Sequence, residues 1–290
     1  WAAERISLLN LWDVALRLCG LGREAPRTYT KKYFYPKQGI GQIFEYIARE
    51  IKQNGSNIIL NARFKKLLLE GDRVKGVTYE TNGKDQVINC DWVISTIPVT
   101  DLICMPDRGV GYQDVSTAIS SLRYRSLRFL NILIDKAEIG RNTWTYIPDG
   151  KYIMTRIQEP NKRSPHNAPD GKTSLMLEIP CSYKDEIWNM QDDLLFSRCI
   201  DDLFKLGIDI KDRVIDYFYT AERHAYPIYH LDYKHHLNNL LSRVDSIENI
   251  HTCGRNGLFR YIFMDRAMEM GFDAATIVDG KKAKLSNVKN

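Results

Sequence analysis

The spacing of apolar residues divides the chain into helical and extended stretches. Ile6, Leu9, Val14 and Leu18 predict a helix over residues 1–20, closed by Gly20 and Gly22. A second helical stripe, Ile43, Phe44, Ile47 and Ile51, ends at Asn54-Gly55. Between residues 58 and 98 the period changes. Ile58–Leu69, Val74–Glu80 and Val87–Cys90 are rich in strand formers, and the turns Glu70-Gly71-Asp72 and Thr81-Asn82-Gly83-Lys84 separate them. That pattern predicts an antiparallel meander. The run Asp91–Pro98 is almost continuously apolar, which predicts a strand buried on both faces within a parallel sheet.

Further strands are expected at Phe129–Ile134, Thr143–Ile147, Tyr152–Ile157 and Ser174–Ile179, forming a second, antiparallel sheet around a loop at Glu159–Lys172. Asp192–Leu206 reads as an amphipathic helix with acidic residues at its start and Gly207 after its end. A strand at Val214–Tyr219, a short helix at His235–Val244 and a strand at Ile247–Thr252 lead to Gly254. The last helix starts at Met264. Its stripe of Ala267, Met268, Gly271, Ala274, Ala275 and Val278 is small enough for close approach to another element. The fold class is therefore α/β, in the mixed α+β sense.

Composition narrows the function classes. Of 290 residues, 44% are hydrophobic and 27% charged, an ordinary globular balance. The net charge of +5 is spread along the chain, and its densest basic run, Lys281, Lys282, Lys284 and Lys289, sits in the tail. Without a recognised module or basic stripe, no nucleic-acid partner is expected. Six scattered cysteines show no metal-type spacing and read as buried, reduced thiols. No apolar run approaches the roughly 20 residues of a membrane span, so a soluble cytoplasmic protein is expected. His235 and His236 are adjacent and would point to different sides of a helix, so no metal site is expected there. No P-loop, G-x-S-x-G elbow or H-E-x-x-H occurs.

The segment Cys253–Met268 carries the most chemistry. A flavin requires backbone N–H groups and a positive helix end near its charged parts, with a flat apolar wall beside the ring. A strand ending at Gly254, then Arg255, then aromatic residues, then a helix starting at Met264-Asp265 can supply these. The same residues read equally well as a plain turn and helix start.

The run GRNGLFRYIFMDRAMEMGFDAA resembles the C-terminal flavin-binding signature of the FAD superfamily of flavin amine oxidases, protoporphyrinogen oxidase and UDP-galactopyranose mutase. Its wording, Gly-Arg, then Arg-Tyr, then Met-Asp before a small-residue helix, is most similar to UDP-galactopyranose mutase relatives of polysaccharide gene clusters. YFYPKQGIGQIFEYIAREI, NIILNARFKKLLLEGDRVKGV with DWVISTIP, and AYPIYHLDYKHHL resemble other family segments. The resemblance covers most of residues 33–278.

The resemblance implies FAD as cofactor. It places Gly254 and Arg255 near the flavin and phosphates, Met264 and Asp265 at the ring edge, Phe64 at the adenine, and Ser95 and Thr96 near the adenosine or pyrophosphate. Arg255 and Tyr261 become the catalytic candidates, and Arg260, Tyr226 and Tyr229 the substrate-binding ones. The family usually has valine where Phe64 stands. The implied fold is an incomplete glutathione-reductase-like FAD domain plus a substrate domain. Its expected parts are 1–57 (helices of the substrate domain), 58–100 (returning FAD segment), 101–245 (substrate domain with antiparallel sheet), 246–280 (C-terminal FAD segment) and 281–290 (tail).

G-x-G-x-x-G is missing: Gly39-Ile40-Gly41 is followed by Phe44 where the third glycine belongs. Together with the non-Met start at Trp1, this suggests a C-terminal portion whose dinucleotide-binding unit lies upstream. Three functions follow. One is a sugar-nucleotide enzyme of lipopolysaccharide or cell-envelope synthesis, with a small-molecule substrate and a homodimer as a candidate assembly. The second is an amine or protoporphyrinogen oxidoreductase. The third is a non-catalytic piece that holds no flavin by itself.

Overall fold

The computed structural model describes residues 34–103 and 112–288. The helix expected over 1–20 lies outside these. By contacts the chain divides into two units. The first comprises 1–56, 128–180 and 189–221, and the second 57–127, 181–188 and 222–290.

In the first unit, α1 (Gly41–Gln53) carries the Ile43–Ile51 stripe. The unit holds most of a five-stranded sheet ordered β6-β7-β8-β5-β9. Its strands are β5 (Tyr124–Ile134), β6 (Trp144–Tyr146), β7 (Arg156–Gln158), β8 (Thr173–Cys181) and β9 (Val214–Pro227). β6, β7 and β8 are successively antiparallel. Alternation sorts the faces: Leu175, Leu177 and Ile179 on β8, and Leu130, Ile132 and Ile134 on β5, are all buried at period two. The helix Asp192–Lys205 buries Leu195, Cys199 and Leu203 at i, i+4 and i+8, as its apolar period requires. Burial pushes the Cys199 thiol up to about 12, so it is an inert core group.

In the second unit the meander forms as expected: β1 (Arg63–Glu70), β2 (Arg73–Thr81) and β3 (Lys84–Asn89) are sequentially antiparallel. β4 (Val93–Ser95) pairs in parallel with β10 (Ile250–Thr252). The helix Tyr112–Ser121 packs against Tyr233–Asp245, which also contacts β10. The core runs from Leu67 and Val74 through Leu102 and Leu122 to Leu240, Val244 and Phe259. Asn249, fully buried, joins these layers. Its amide donates to the Val74 and Asp91 carbonyls (2.8 and 2.6 Å) and accepts from the Val74 N–H (2.7 Å).

Several expectations need correction. β1 starts at Arg63, not Ile58, because Asn61 at φ +53° breaks the extended backbone. β5 and β9 are longer than expected, starting at Tyr124 and ending at Pro227, whereas β7 is confined to Arg156–Gln158 after a turn at Asp149–Tyr152. The 91–98 strand is not buried on both faces. Among the described residues β4 has β10 as its only sheet partner, and Ile94 is 46% exposed. The final helix, α8 (Met264–Val288), buries Ala274 of the expected stripe together with Met270, which is outside it, while Ala267, Met268, Gly271 and Ala275 are exposed. Met270 and Ala274 lie one turn apart on the side that meets Cys253, Leu258 and Ile262. Gly271 has no atom near its vacant Cβ position. The helix also continues past residue 280, where a tail was expected.

Replacing Asn249 with Ala removes three hydrogen bonds and strands buried partners. Urea unfolding followed by circular dichroism should show a loss of about 3 kcal/mol; a change within error would mean that the amide joins nothing.

Candidate functional site

The candidate residues collect at the carboxyl ends of β4 and β10, where ligands bind in open α/β sheets. The Ser95 carbonyl accepts the Cys253 N–H (2.9 Å), so the chain leaving β10 stays beside β4. Gly254 then adopts φ +79°, a left-handed conformation that only glycine takes without strain. A Cβ there would lie 3.7 Å from the Thr96 side chain, so the backbone angle, not space, calls for glycine. Gly257 has the opposite reason. A Cβ there would meet Thr252 Oγ1 at 2.7 Å and the Ser95 carbonyl at 3.3 Å. The short helix Gly254–Gly257 can therefore nest against β4 only without that side chain.

Arg255 points into an aromatic pair. Its guanidinium carbon lies 5.0 Å from the Tyr226 ring centroid and 4.5 Å from that of Tyr261. The two rings stack with centroids 5.6 Å apart. Arg255 also donates to the carbonyls of Ala225 (2.8 Å) and Ile262 (3.2 Å). It thus ties the end of β9 to the loop before α8. The Tyr229 hydroxyl accepts the Tyr261 N–H at 2.7 Å, fixing the backbone from the other side.

Phe259 anchors this loop. It is fully buried despite φ +48°, an angle that costs a bulky residue roughly 1–2 kcal/mol. Tyr124, Tyr229 and Tyr233 surround it with centroids 4.9, 6.0 and 6.1 Å away. Burial of the ring, about 2–3 kcal/mol, offsets the strain. Tyr124 donates to the Asn256 carbonyl (3.3 Å), and burial raises its phenol well above the ordinary range. His224 meets the Tyr124 ring edge-on at 4.7 Å and has Asp101 Oδ2 at 3.8 Å. Burial lowers its pKa, with Arg223 adding to that and Asp101 and Glu222 opposing.

At the start of α8, the Ala267 N–H donates to the Phe263 carbonyl at 3.1 Å. The N–H groups of Met264, Asp265 and Arg266 precede that ladder, as at any helix N-terminus. Phe263 and Met264 are exposed, at 64% and 45%. A positive helix end beside an apolar wall suits a flavin ring. Asn256 Oδ1, buried without a partner, offers an acceptor for a donor on a ligand. In these respects the residues fit the cofactor.

The structure thus brings together Ser95, Thr96, Gly254, Arg255, Tyr226, Tyr229 and Tyr261. Arg260 is exposed, with its N–H bonded to the Arg255 carbonyl. Phe64 sits on β1, packed against the core cluster, with no contact to the Gly254 loop among those described. Gly257, Thr252, Asn256 and Tyr124 escaped the sequence reading. Only Gly257 had a visible signal, as the second glycine of Gly-x-x-Gly. Among the described residues no cluster of His, Cys, Asp and Glu could hold a metal, and no helix is long and apolar enough to cross a membrane.

Sequence comparison decides the family, since the profile of flavin containing amine oxidoreductases matches residues 11–278. The chain belongs to that family. Its members are FAD-dependent flavoenzymes. No curated protein matches. Among solved structures, reduced UDP-galactopyranose mutase superposes with TM-score 0.63 at 21% identity, over 78% of this chain and 47% of that one. A protein assigned as a protoporphyrinogen oxidase, from Exiguobacterium sp. 255-15, gives 0.63 at 16%, over 93% and 55%. Putrescine oxidase bound to putrescine gives 0.57 at 15%, over 83% and 53%. At these identities the likeness is one of fold, and the chain spans about half the length of each neighbour.

Two predictions test the geometry. Gly257→Ala should destabilise the second unit by about 1–3 kcal/mol, the usual cost of overpacking. Adding Thr252→Ala should recover part of the loss in thermal melts, because it removes the nearest atom. For His224, the folded pKa lies below the ordinary 6.5, so the unfolded chain takes up the proton first as pH falls. The contribution of neutral His224 is present above pH 6.5 and is lost below it, down to the folded value. Unfolding free energy should therefore fall with pH in that window, and less steeply in His224→Gln.

Proposed function

We propose that this chain supplies flavin-facing and substrate-facing residues of an FAD-dependent enzyme related to UDP-galactopyranose mutase, acting on a nucleotide sugar in cell-envelope polysaccharide synthesis. The observation that carries the reading is the run from Gly254 to Asp265. It leaves a parallel strand pair, locks Arg255 between backbone and two tyrosines, and opens a helix with an exposed apolar start. When bound, FAD would supply a ring that is a nucleophile when reduced, as a mutase needs, or a hydride acceptor when oxidised, as an oxidase needs.

The chain's own residues divide the remaining work. Met264 and Asp265 at the start of α8 present backbone N–H groups that favour negative charge beside them. Ser95 and Thr96 sit at the strand end beside the Gly254 turn, on the adenosine and pyrophosphate side of the reading. Arg255 commits N–H groups to two carbonyls, so it fixes the Tyr226–Tyr261 pair and adds positive charge there. Tyr261 offers the ring nearer to that charge, 4.5 Å from it against 5.0 Å for Tyr226. Exposed Arg260 is the arm for a substrate diphosphate, through charge-assisted hydrogen bonds. Tyr229 spends its hydroxyl on the Tyr261 N–H and acts through that residue. Phe64 is kept as the adenine-side contact by family position alone.

The test uses the protein encoded by the complete gene, with its flavin reduced. UDP-galactose should interconvert between its ring forms, and Arg260→Ala should raise KM more than it lowers kcat. Flavin bleaching by putrescine or a porphyrinogen in the oxidised protein, with no ring interconversion, would overturn this in favour of an oxidase. The family's description and the putrescine oxidase neighbour give that second reading its support.

A further inference from the structure

A second arginine in the first unit is held in the same way as Arg255 but left unspent. Arg163 lies over two rings, its guanidinium carbon 4.6 Å from the centroid of Trp144 and 5.7 Å from that of Tyr35. Among the described residues no hydrogen bond engages its guanidinium and no carboxylate pairs with it. The neighbouring acids are committed. Glu138 pairs with Lys162, and Glu178 with Arg156. Buried Glu159 accepts the N–H groups of Ile139 (2.9 Å) and Gly140 (3.1 Å) and the Thr173 hydroxyl (3.0 Å). Among the described residues that leaves the guanidinium without a counter-charge, its plane held by the ring contacts and its N–H edges unengaged.

The site is built rather than incidental. Ser164, next in sequence, donates to the Lys37 carbonyl at 2.5 Å. Asn167 donates to the Pro160 carbonyl (2.9 Å) and lies against Gly39, whose φ of +94° turns the chain that carries Tyr35. The loop bearing Arg163 and the turn bearing Tyr35 are therefore pinned together. The third member comes from the sheet. Strand register sets Trp144 opposite Gln158, which faces Met176, and Tyr146 opposite Arg156, which faces Glu178. Those six residues share one face. Trp144 and Tyr146 are exposed on it, at 44% and 62%, and Gln158 donates to Glu178 at 2.9 Å. Exposed aromatic rings beside planar polar groups form a platform for a polar ring, while Arg163 supplies a positive charge that no acid in the described structure pairs with.

We propose that Arg163, stacked on Trp144 and Tyr35, is the anion-binding arm of a ligand site on this sheet face, and that the ligand is a phosphorylated small molecule whose ring rests on Trp144 or Tyr146. Charge argues for that class: a cationic amine would meet an unbalanced guanidinium. The inference rests on the nucleotide-sugar reading for its biological meaning but not for its test, since binding here needs no flavin.

Isothermal titration of the 290-residue chain with UDP, inorganic pyrophosphate and putrescine tests it. UDP should bind most tightly, pyrophosphate more weakly, and putrescine not at all. Arg163→Gln should weaken UDP at least about tenfold, a loss of one charge-assisted contact. Arg163→Lys should recover little, because an ammonium keeps the charge but not the stacked fork. Trp144→Leu should weaken UDP more than pyrophosphate, whereas Arg141→Gln should change neither. Thermal melts accompany each variant; if Arg163→Gln unfolds, the UDP-to-pyrophosphate ratio in Trp144→Phe and Trp144→Leu decides instead. Equal binding by wild type and Arg163→Gln, an unchanged ratio in Trp144→Leu, absence of UDP binding, or a preference for putrescine would overturn the proposal. Loss of ring interconversion with UDP binding intact would sink the mutase reading alone.

Discussion

The parallel ladder between Val93–Ser95 and Ile250–Thr252 is the constraint on which the second unit's site depends. It joins stretches about 157 residues apart, as the Thr252–Ser95 hydrogen bond records. Three residue pairs do not hold such a ladder by themselves, since parallel pairing is weak per residue. Asn249 at its foot and Gly257 at its head complete it. The buried amide satisfies backbone groups of the meander, and the missing side chain lets the turn close on Ser95. Remove either end and the turn carrying Arg255 loses its reference point.

From that ladder onward the loop is fixed by aromatic packing rather than regular secondary structure. Phe259 in a left-handed conformation is the clearest sign. Such an angle persists only where surroundings over-determine it. Three tyrosines do so here, and two of them reach the loop a second time through hydroxyls, Tyr124 to the Asn256 carbonyl and Tyr229 to the Tyr261 N–H. The tyrosines are thus more than a hydrophobic wall. Their hydroxyls set the backbone from which Arg255 and Tyr261 project.

How much of this the sequence discloses depends on the range of the interaction. The meander was legible because its turns are local and its alternation is strict, down to the Asn82-Gly83 turn between β2 and β3. The turn at Gly254 and the helix start at Met264 were legible through the family resemblance. Burial was less so. An apolar run at 91–98 implied a strand covered on both sides, but exposure at Ile94 is set by what else packs there. The small-residue stripe of α8 likewise suggested close packing, but of its members only Ala274 is buried, beside Met270 from outside the stripe. Composition identifies which residues tolerate burial, not which face a partner will cover. The roles of Asn249 and Tyr124 had no sequence signal at all, because each depends on partners more than a hundred residues away.

The two stacked arginines show why residue type alone cannot assign a role. Arg255 and Arg163 each lie over two aromatic rings, at similar distances. Sequence marked the first, by its motif, and passed over the second, which sits in a loop rich in proline, asparagine and lysine. Hydrogen bonding reverses the emphasis. Arg255 gives N–H groups to the carbonyls of Ala225 and Ile262, and a guanidinium so engaged is chiefly a strut. Arg163 has the same ring support with no acceptor of its own in the described structure. A stacked arginine is held in place at little further entropic cost when it meets an oxyanion, because its plane is already set. The donors that remain unspent, not the motif, therefore distinguish the arginine that organises a site from the one equipped to hold a ligand.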